Sequence, residues 1–460
     1  MVNLQNKEIS NDRQERNEHR AEWESKAETY LRSKLDNDEQ LINKNKSQKV
    51  RCPKVPPILR NEKRSKEYYD PKIVSFGPYH HGKAELRAAE TIKRQVMQKF
   101  ILGHGKTIKD LYIKVLELND YARRSYVDGS TDDYDDEAFA LMMLQDGCFI
   151  LAWIEGNSCI MDYLDNLELC CSYLDTFLLE NQIPFKVLNV LMSNIYNENK
   201  GLESIKSILN VMHWGTVQKH DTPDEDEPAN LLELQKRQIS KRSGPEEIVP
   251  KIKDFISSLP SFGSVSDLQA KGINFKPSNS ISLHPAEKEK PKSISLRDVE
   301  FRSGFFTGEL ILPPLFLTPD ALVYYRNLIA SEICDGKSSC EGFIIASYIS
   351  FMNSLIANPE DVKVLRSKRI ILHTLNSDEE VFKMLKEISG TESRLKNLFI
   401  YQGVRQDIEK HYNSKKRIWI AEIRHKYFNQ PWSIFGLLAA VVAIILSFLQ
   451  TFYTIHPRKG

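Results

Sequence analysis

Between Tyr427 and Ile455 the chain carries no Asp, Glu, Lys or Arg, and the centre of that stretch, Ile434 to Leu449, is almost wholly apolar. A helix needs about 20 such residues to cross a hydrocarbon core ~30 Å thick, at ~1.5 Å of rise per residue. Trp432 stands at one edge and Phe452 and Tyr453 at the other, where amphipathic rings settle at headgroup level. Residues 431–455 therefore read as one transmembrane helix, followed by a short tail, 456–460. A buried core helix is the alternative, but such helices are usually shorter and seldom carry basic residues on both flanks.

The flanks suggest an orientation. Lys415, Lys416, Arg417, Arg424 and Lys426 precede the span, against Arg458 and Lys459 after it. The positive-inside bias puts the N-terminal bulk in the cytosol. Residues 1–50 alternate charge signs and show no apolar signal-peptide core, so they read as a solvated tail and the expected topology is tail-anchored. A span of this length suits the plasma membrane or an endomembrane.

Composition narrows what the remainder can be. Lys and Arg number 63 against 62 Asp and Glu, a formal charge of +1 that speaks against nucleic-acid binding. An apolar fraction of 41% supports a sizeable core. Seven scattered cysteines, an odd number, read as reduced cytosolic thiols rather than a disulfide framework.

Folding is expected to begin near Arg51, where Pro53, Pro56 and Pro57 impose an extended entry. From there to about residue 430 the periodicity is helical. It predicts helices over Ala84–Leu102, Ile108–Tyr126 and Ala138–Ile154, the last apolar enough to be central, and an apolar block over Leu167–Ser193 broken at Pro184. Further helices are predicted at Ile205–His213, Ala229–Gln238, Ala321–Cys334, Phe343–Ile356, Pro359–Ser367, Ser377–Ile388 and from Ser393 onward. Residues 219–228 and 276–295 read as linkers. Strand character is confined to a helix, glycine and strand over 264–275, and to a hairpin from Asp298–Phe301 and Gly308–Pro313. The expected fold class is mainly α: a large helical domain, a small β element and one C-terminal transmembrane helix.

Several short segments resemble a plant family catalogued as domain of unknown function 247. They are Pro53-Lys-Val-Pro56, Val74-Ser-Phe-Gly77-Pro78-Tyr79-His80-His81-Gly82, Met142-Met143 with Asp146-Gly147-Cys148-Phe-Ile150, and Asp175 with Leu178-Leu-Glu180-Asn181-Gln182-Ile-Pro184-Phe185. Arg326-Asn327-Leu-Ile-Ala330, Asp361-Val362, Asn429-Gln-Pro-Trp432 and Gln450-Thr451 follow in the family's order. Ala89 stands where a Met usually precedes Glu90, and Ala229-Asn230 replaces a usual His. The resemblance implies a terminal membrane span but no catalytic residue, since the family has no established activity. Some grass members are implicated in pollen self-incompatibility, which makes recognition a theme that the resemblance implies.

The motif residues carry chemical readings as well as structural ones. His80 and His81 are adjacent, so on an extended segment they point different ways and cannot chelate one ion as an i, i+4 pair can. Gly77, Pro78 and Gly82 favour a structured turn around them. Asp146-Gly-Cys148 and Glu180-Asn181-Gln182 place polar groups in apolar runs, where Asp146, Glu180 and Gln182 are expected to tie backbone ends near the interruptions at Gly147 and Pro184. The sharper alternative is a membrane-anchored hydrolase or thiol enzyme with Cys148 as nucleophile, His80 or His81 as base and Asp146 as orienter. Leu102-Gly-His-Gly-Lys-Thr107 contains a Gly-Lys-Thr but lacks the phosphate loop's earlier glycine and preceding strand, and reads as a turn between helices. No cofactor or metal follows from any of these.

The favoured expectation is a non-catalytic interaction, recognition or signalling module. Its partners would be a lipid bilayer and a protein not identified by the sequence. Gly436 and Ala439-Ala440 are small enough for helix packing within a membrane, but they do not set an oligomeric state.

Overall fold

The computed structural model describes residues 50–156, 158–196, 205, 227–240, 263–278, 295–304, 307–335, 342–390, 400–413 and 431–455. Several expectations lie outside them: those for the tail before Val50, for 206–213, for 219–226 and 279–294 of the two linkers, and for everything after 455. The same holds for Lys415, Lys416, Arg417, Arg424 and Lys426.

The architecture is mostly helical, and its centre is the helix Asp136–Ile154. Asp135 caps its start by accepting the Ala138 N–H at 2.7 Å, and Asp136 and Glu137 place negative charge in its first turn. Its residues are apolar almost all round, and nearly every side chain from Phe139 to Ile154 is buried. Such a helix is stable only when surrounded. Helices Arg87–Gly103, Ile108–Leu116 and Phe185–Ile195 pack against it.

Helix Arg87–Gly103 turns at His104 and Gly105, and Thr107 then caps Ile108–Leu116 by accepting the Asp110 N–H at 3.1 Å. The Gly-Lys-Thr segment is thus a helix-to-helix turn. Two expected helices have different bounds. Ala84–Leu86 forms a short 3-10 turn ahead of Arg87, and Ile108–Tyr126 is split into Ile108–Leu116 and Asn119–Arg124. The expected interruption at Gly147 is absent. Gly147 lies within the continuous core helix, where a Cβ would stand 2.4 Å from Leu191 Cδ1 of the neighbouring helix. It is a close-approach position, not a break.

The second half combines helices with two small sheets. Ser264 opens helix Val265–Ala270 with a reciprocal capping box to Asp267, and Gly272, at φ 78°, turns the chain into strand β1, Ile273–Pro277. Lys276 and Pro277 therefore belong to this strand rather than to the linker expected over 276–295. Strand β2, Glu300–Ser303, pairs antiparallel with β3, Gly308–Leu312, as the hairpin reading requires. β1 pairs parallel with the other edge of β3, giving the order β1-β3-β2 and the register Phe275 to Leu310.

A second parallel pair, β4 (Leu315–Leu317) with β5 (Ile371–His373), goes beyond the expected β element. Three-residue strands are too short to show a period. Helices Ala321–Cys334, Ile344–Leu355, Pro359–Ser367 and Asp378–Ile388 pack on one another, with Pro359–Ser367 also against β5, while Val265–Ala270 packs against β1 and Gln402–Tyr412 against β2. Asp361 ties two of the elements: it accepts from the Ser266 N–H at 2.9 Å and hydroxyl at 2.7 Å, and from the Ala357 N–H at 2.9 Å.

Helix Pro431–Ile455 follows. Its side chains from Val441 to Ile455, where described, include exposed Ile444, Ile445, Leu446, Phe448 and Phe452. Counting only residues with described side chains, one helix, Asp136–Ile154, is long and apolar enough to cross a membrane, but it is mostly buried in the fold. The apolar part of the last helix with described side chains, Ala439–Phe452, is shorter than a span by itself.

Candidate functional site

The family-motif residues converge on one buried hydrogen-bond network around residues 72–82. Residues 72–76 pass the core without joining a sheet and 77–82 form a turn, so the backbone groups of this segment need other partners. Side chains supply them. The Asp175 carboxylate accepts the N–H groups of Lys72, Ile73 and Val74 at 2.9, 2.7 and 2.9 Å. Asn181 accepts the Phe76 N–H at 2.7 Å and donates to the carbonyls of Val74 and Asp175 at 2.9 and 2.8 Å. Asp146 accepts the Gly77 N–H at 2.7 Å.

At Gly77 the backbone enters the left-handed region, φ 70°, and a Cβ would lie 2.8 Å from both Gln182 O and Tyr126 Oη. Conformation and space both demand glycine there. Pro78 follows in a trans peptide. The Tyr79 hydroxyl donates to Cys52 O at 2.6 Å and accepts the Val127 N–H at 3.1 Å. Gly82, at φ 81°, closes the turn in open space, with nothing within 4 Å of where a Cβ would stand.

The two histidines diverge, as adjacent side chains on such a segment must. His80 is buried with Nε2 3.5 Å from Glu180, while partly buried His81 has Nδ1 3.4 Å from Glu90 and meets Tyr134 edge-on.

Glu180, Asn181 and Gln182 reach into three different parts of the chain. Glu180 accepts the Val55 N–H at 2.7 Å and pairs with Arg60. Gln182 donates to the carbonyls of Thr176 and Leu178 at 2.7 and 2.9 Å and accepts the Leu232 N–H at 3.2 Å. Pro184 then starts helix Phe185–Ile195, where a missing N–H has no consequence. Asn327 extends the network to the second half: it accepts the Leu179 N–H at 2.8 Å and donates to Tyr68 O at 2.7 Å.

Beneath the loop lies a charged cluster that periodicity alone does not reveal. The Lys93 ammonium, fully buried, donates to Asp146 at 2.6 Å and to Ser75 O at 2.8 Å, and stands 2.9 Å from Glu90. The available signal is spacing. Lys93 falls between Ala89, Val96 and Phe100 on the apolar face, a position where a lysine cannot remain unpaired.

Burial pushes Asp146 above the usual carboxylate range in spite of Lys93. For Glu90, burial pushes upward too, but the approach of His81 and the charge and hydrogen bond of Lys93 bring it down to about 2. Glu180 is likewise raised by burial and then lowered to about 2 by His80, Arg60 and the Val55 N–H.

The expected nucleophile does not join this network. Cys148 is completely buried, and burial alone drives its thiol well above the ordinary range. The two histidines face Glu180 and Glu90, and Asp146 is committed to Gly77 and Lys93. The expected thiolate, base and orienter are thus not brought together. Among the described residues no group of three His, Cys, Asp or Glu side chains is placed to hold a metal ion. What the arrangement does chemically is satisfy backbone groups and charges that would each cost ~1–3 kcal/mol if buried without partners.

The pattern of a family described as a plant protein of unknown function, the domain of unknown function 247, matches residues 52–446. The chain belongs to this family. It is 29% identical over 431 residues to the UPF0481 protein At3g47200 of Arabidopsis thaliana, covering 85% of this chain and 84% of that one. It is also similar to a second Arabidopsis UPF0481 protein, At3g02645, at 28% identity over 189 residues, 41% of this chain and 32% of the other. No solved structure matches. The family match takes in the whole network, from Cys52 to Asn327.

Proposed function

We propose that this protein is a non-catalytic interaction module tethered to a membrane by helix Pro431–Ile455, with its helical bulk in the cytosol. The observation that carries the reading is the character of that helix. Its 25 residues include no charged side chain, and at ~1.5 Å each they extend about 37 Å, enough for a ~30 Å hydrocarbon core. Its exposed Ile444, Leu446 and Phe448 would each lose stability in water and gain it in lipid.

The non-catalytic half of the reading rests on the network, in which the conspicuous motif residues are occupied by structural hydrogen bonds. A tethered domain of this kind would act by presenting its surface to a protein partner at the plasma membrane or an endomembrane.

The test is alkaline carbonate extraction of plant-cell membranes containing the full chain, beside a variant carrying Ile444→Lys and Leu446→Lys. The wild-type chain should remain in the pellet and the variant should be released. Proximity labelling from the N-terminus should then show a partner set that depends on the helix. Release of the wild-type chain by carbonate would overturn the anchor, and an identical partner set for both chains would overturn the tethered module.

A further inference from the structure

A cavity of about 400 Å³ opens where the core helix ends, lined by Trp153, Gly156, Ile160, Met161, Tyr173 and Asp320. We propose that it binds a small organic amine, whose aromatic or aliphatic body lies against Trp153 and Tyr173 and whose protonated nitrogen is held by Asp320.

The local fold explains the opening. Gly156 takes φ 62° and its N–H bonds back to Trp153 O at 3.0 Å, so the core helix stops there, and helix Ser158–Met161 supplies Ile160 and Met161 to the cavity wall. Tyr173 packs against that ring with centroids 5.1 Å apart, making a continuous aromatic wall. Met161 is 61% exposed, an unusual state for a flexible apolar side chain beside such a wall, and one that lets it adapt to an occupant. The volume falls within the range of small-molecule sites, which combine apolar and aromatic walls with a few polar groups.

Asp320 sets the chemistry of the occupant. It precedes helix Ala321–Cys334, yet its side chain makes no capping hydrogen bond, and among the described residues no ion pair engages it. Its lone pairs are therefore open to an incoming donor. The Tyr173 hydroxyl on the same wall is buried without a hydrogen-bond partner, and burial followed by the Asp320 charge raises its pKa. Lys72 acts on Asp320 from outside the lining, and the one charged group of the lining is this carboxylate. It repels anions, and a protonated amine answers it with a charge-assisted hydrogen bond and with attraction to the faces of the aromatic rings.

The experiment uses the full chain in nanodiscs of zwitterionic lipid, with calorimetric titration by 2-phenylethylamine and by 3-phenylpropionate, and with heats from empty nanodiscs subtracted. The amine should bind saturably and the carboxylate should not. Asp320→Asn, a change at the exposed rim that spares the core, should weaken the amine by about tenfold or more. Trp153→Ala should weaken it as well. Absence of saturable amine binding, equal binding of the two probes, or unchanged affinity in Asp320→Asn would each overturn the proposal. Because the readout is ligand heat rather than membrane association, failure here leaves the anchor reading untouched.

Discussion

Lys93 and Asp146 meet at 2.6 Å with neither side chain reaching solvent. One belongs to helix Arg87–Gly103 and the other to the middle of the core helix, so the pair fixes how these two helices face each other. Asp146 also holds the Gly77 N–H, which links the helix pair to the loop over residues 72–82. Removing one partner leaves a charge buried without compensation, a loss of roughly 3–5 kcal/mol, whereas replacing both with apolar groups can be nearly neutral. Lys93→Met alone should therefore lower the unfolding midpoint of the full chain sharply. Lys93→Met with Asp146→Leu should lose less than the sum of the two single changes, with the residual loss reflecting the Gly77 N–H, the Ser75 carbonyl and Glu90 left without these partners. Denaturant titration of the four proteins checks this, and strict additivity would contradict it.

Gly77 and Gly82 share a left-handed backbone but not an environment. A Cβ at Gly77 meets Gln182 O and the Tyr126 hydroxyl at 2.8 Å, while at Gly82 nothing lies within 4 Å. Gly82→Ala should cost about 1–2 kcal/mol, the strain of an L-residue in the left-handed region. Gly77→Ala should cost clearly more, because a backbone carbonyl must also move. Thermal unfolding of the two variants ranks them, and an equal loss would mean the loop can shift away from Gln182.

How far these features can be read from sequence depends on the kind of signal that encodes them. The core helix is legible because its apolar run is long, and Ala321–Cys334 and Pro359–Ser367 because periodicity and flanking signals agree. The split after Leu116 is not, since Leu118 and Ala122 continue the apolar spacing through the break. The β4–β5 pair joins residues more than fifty positions apart through strands of three, a relation set by tertiary packing. At the network, the motif residues are visible as polar insertions in apolar runs, but their partners are not. Nothing in Asp175 itself tells that it will collect three successive N–H groups from residues 72–74. Gly147 misleads for the same reason, because its role belongs to Leu191 on another helix.

The burial of Cys148 leads to a chemical prediction. With burial alone raising its thiol, almost no thiolate exists near neutral pH, and the thiolate is the reactive form. Iodoacetamide at pH 8 should leave Cys148 unmodified in the folded chain and label it after denaturation, as read by peptide mass spectrometry. Fast labelling of Cys148 in the native chain would restore it as a candidate nucleophile.

Opposite pH dependences are built into two buried glutamates. Glu332 caps helix Ile344–Leu355, accepting the N–H groups of Ile345 and Ala346 at 2.8 and 3.0 Å, yet burial outweighs these bonds and pushes its pKa up to about 8. A folded-state pKa above the unfolded value means that the folded chain binds the proton more tightly. Its contribution is greatest below about 4.5 and declines as pH rises toward 8, by at most ~1.4 kcal/mol per pH unit. Glu180 behaves in the reverse sense. Held down to about 2, it contributes fully above its unfolded value near 4.5 and loses that contribution as pH falls toward 2. Glu332→Gln should thus flatten the decline in unfolding temperature between pH 5 and 8 while leaving the acid limb intact, with the loss of one backbone bond because an amide has a single acceptor oxygen. Glu180→Gln should soften the acid limb alone and lower stability at neutral pH, where the charged pair with Arg60 is lost. Unfolding temperatures of the three full-length proteins from pH 3 to 9 separate the two effects. An unchanged slope above pH 5 in Glu332→Gln would show that Glu332 is ionised in the folded chain and that its two backbone bonds outweigh burial.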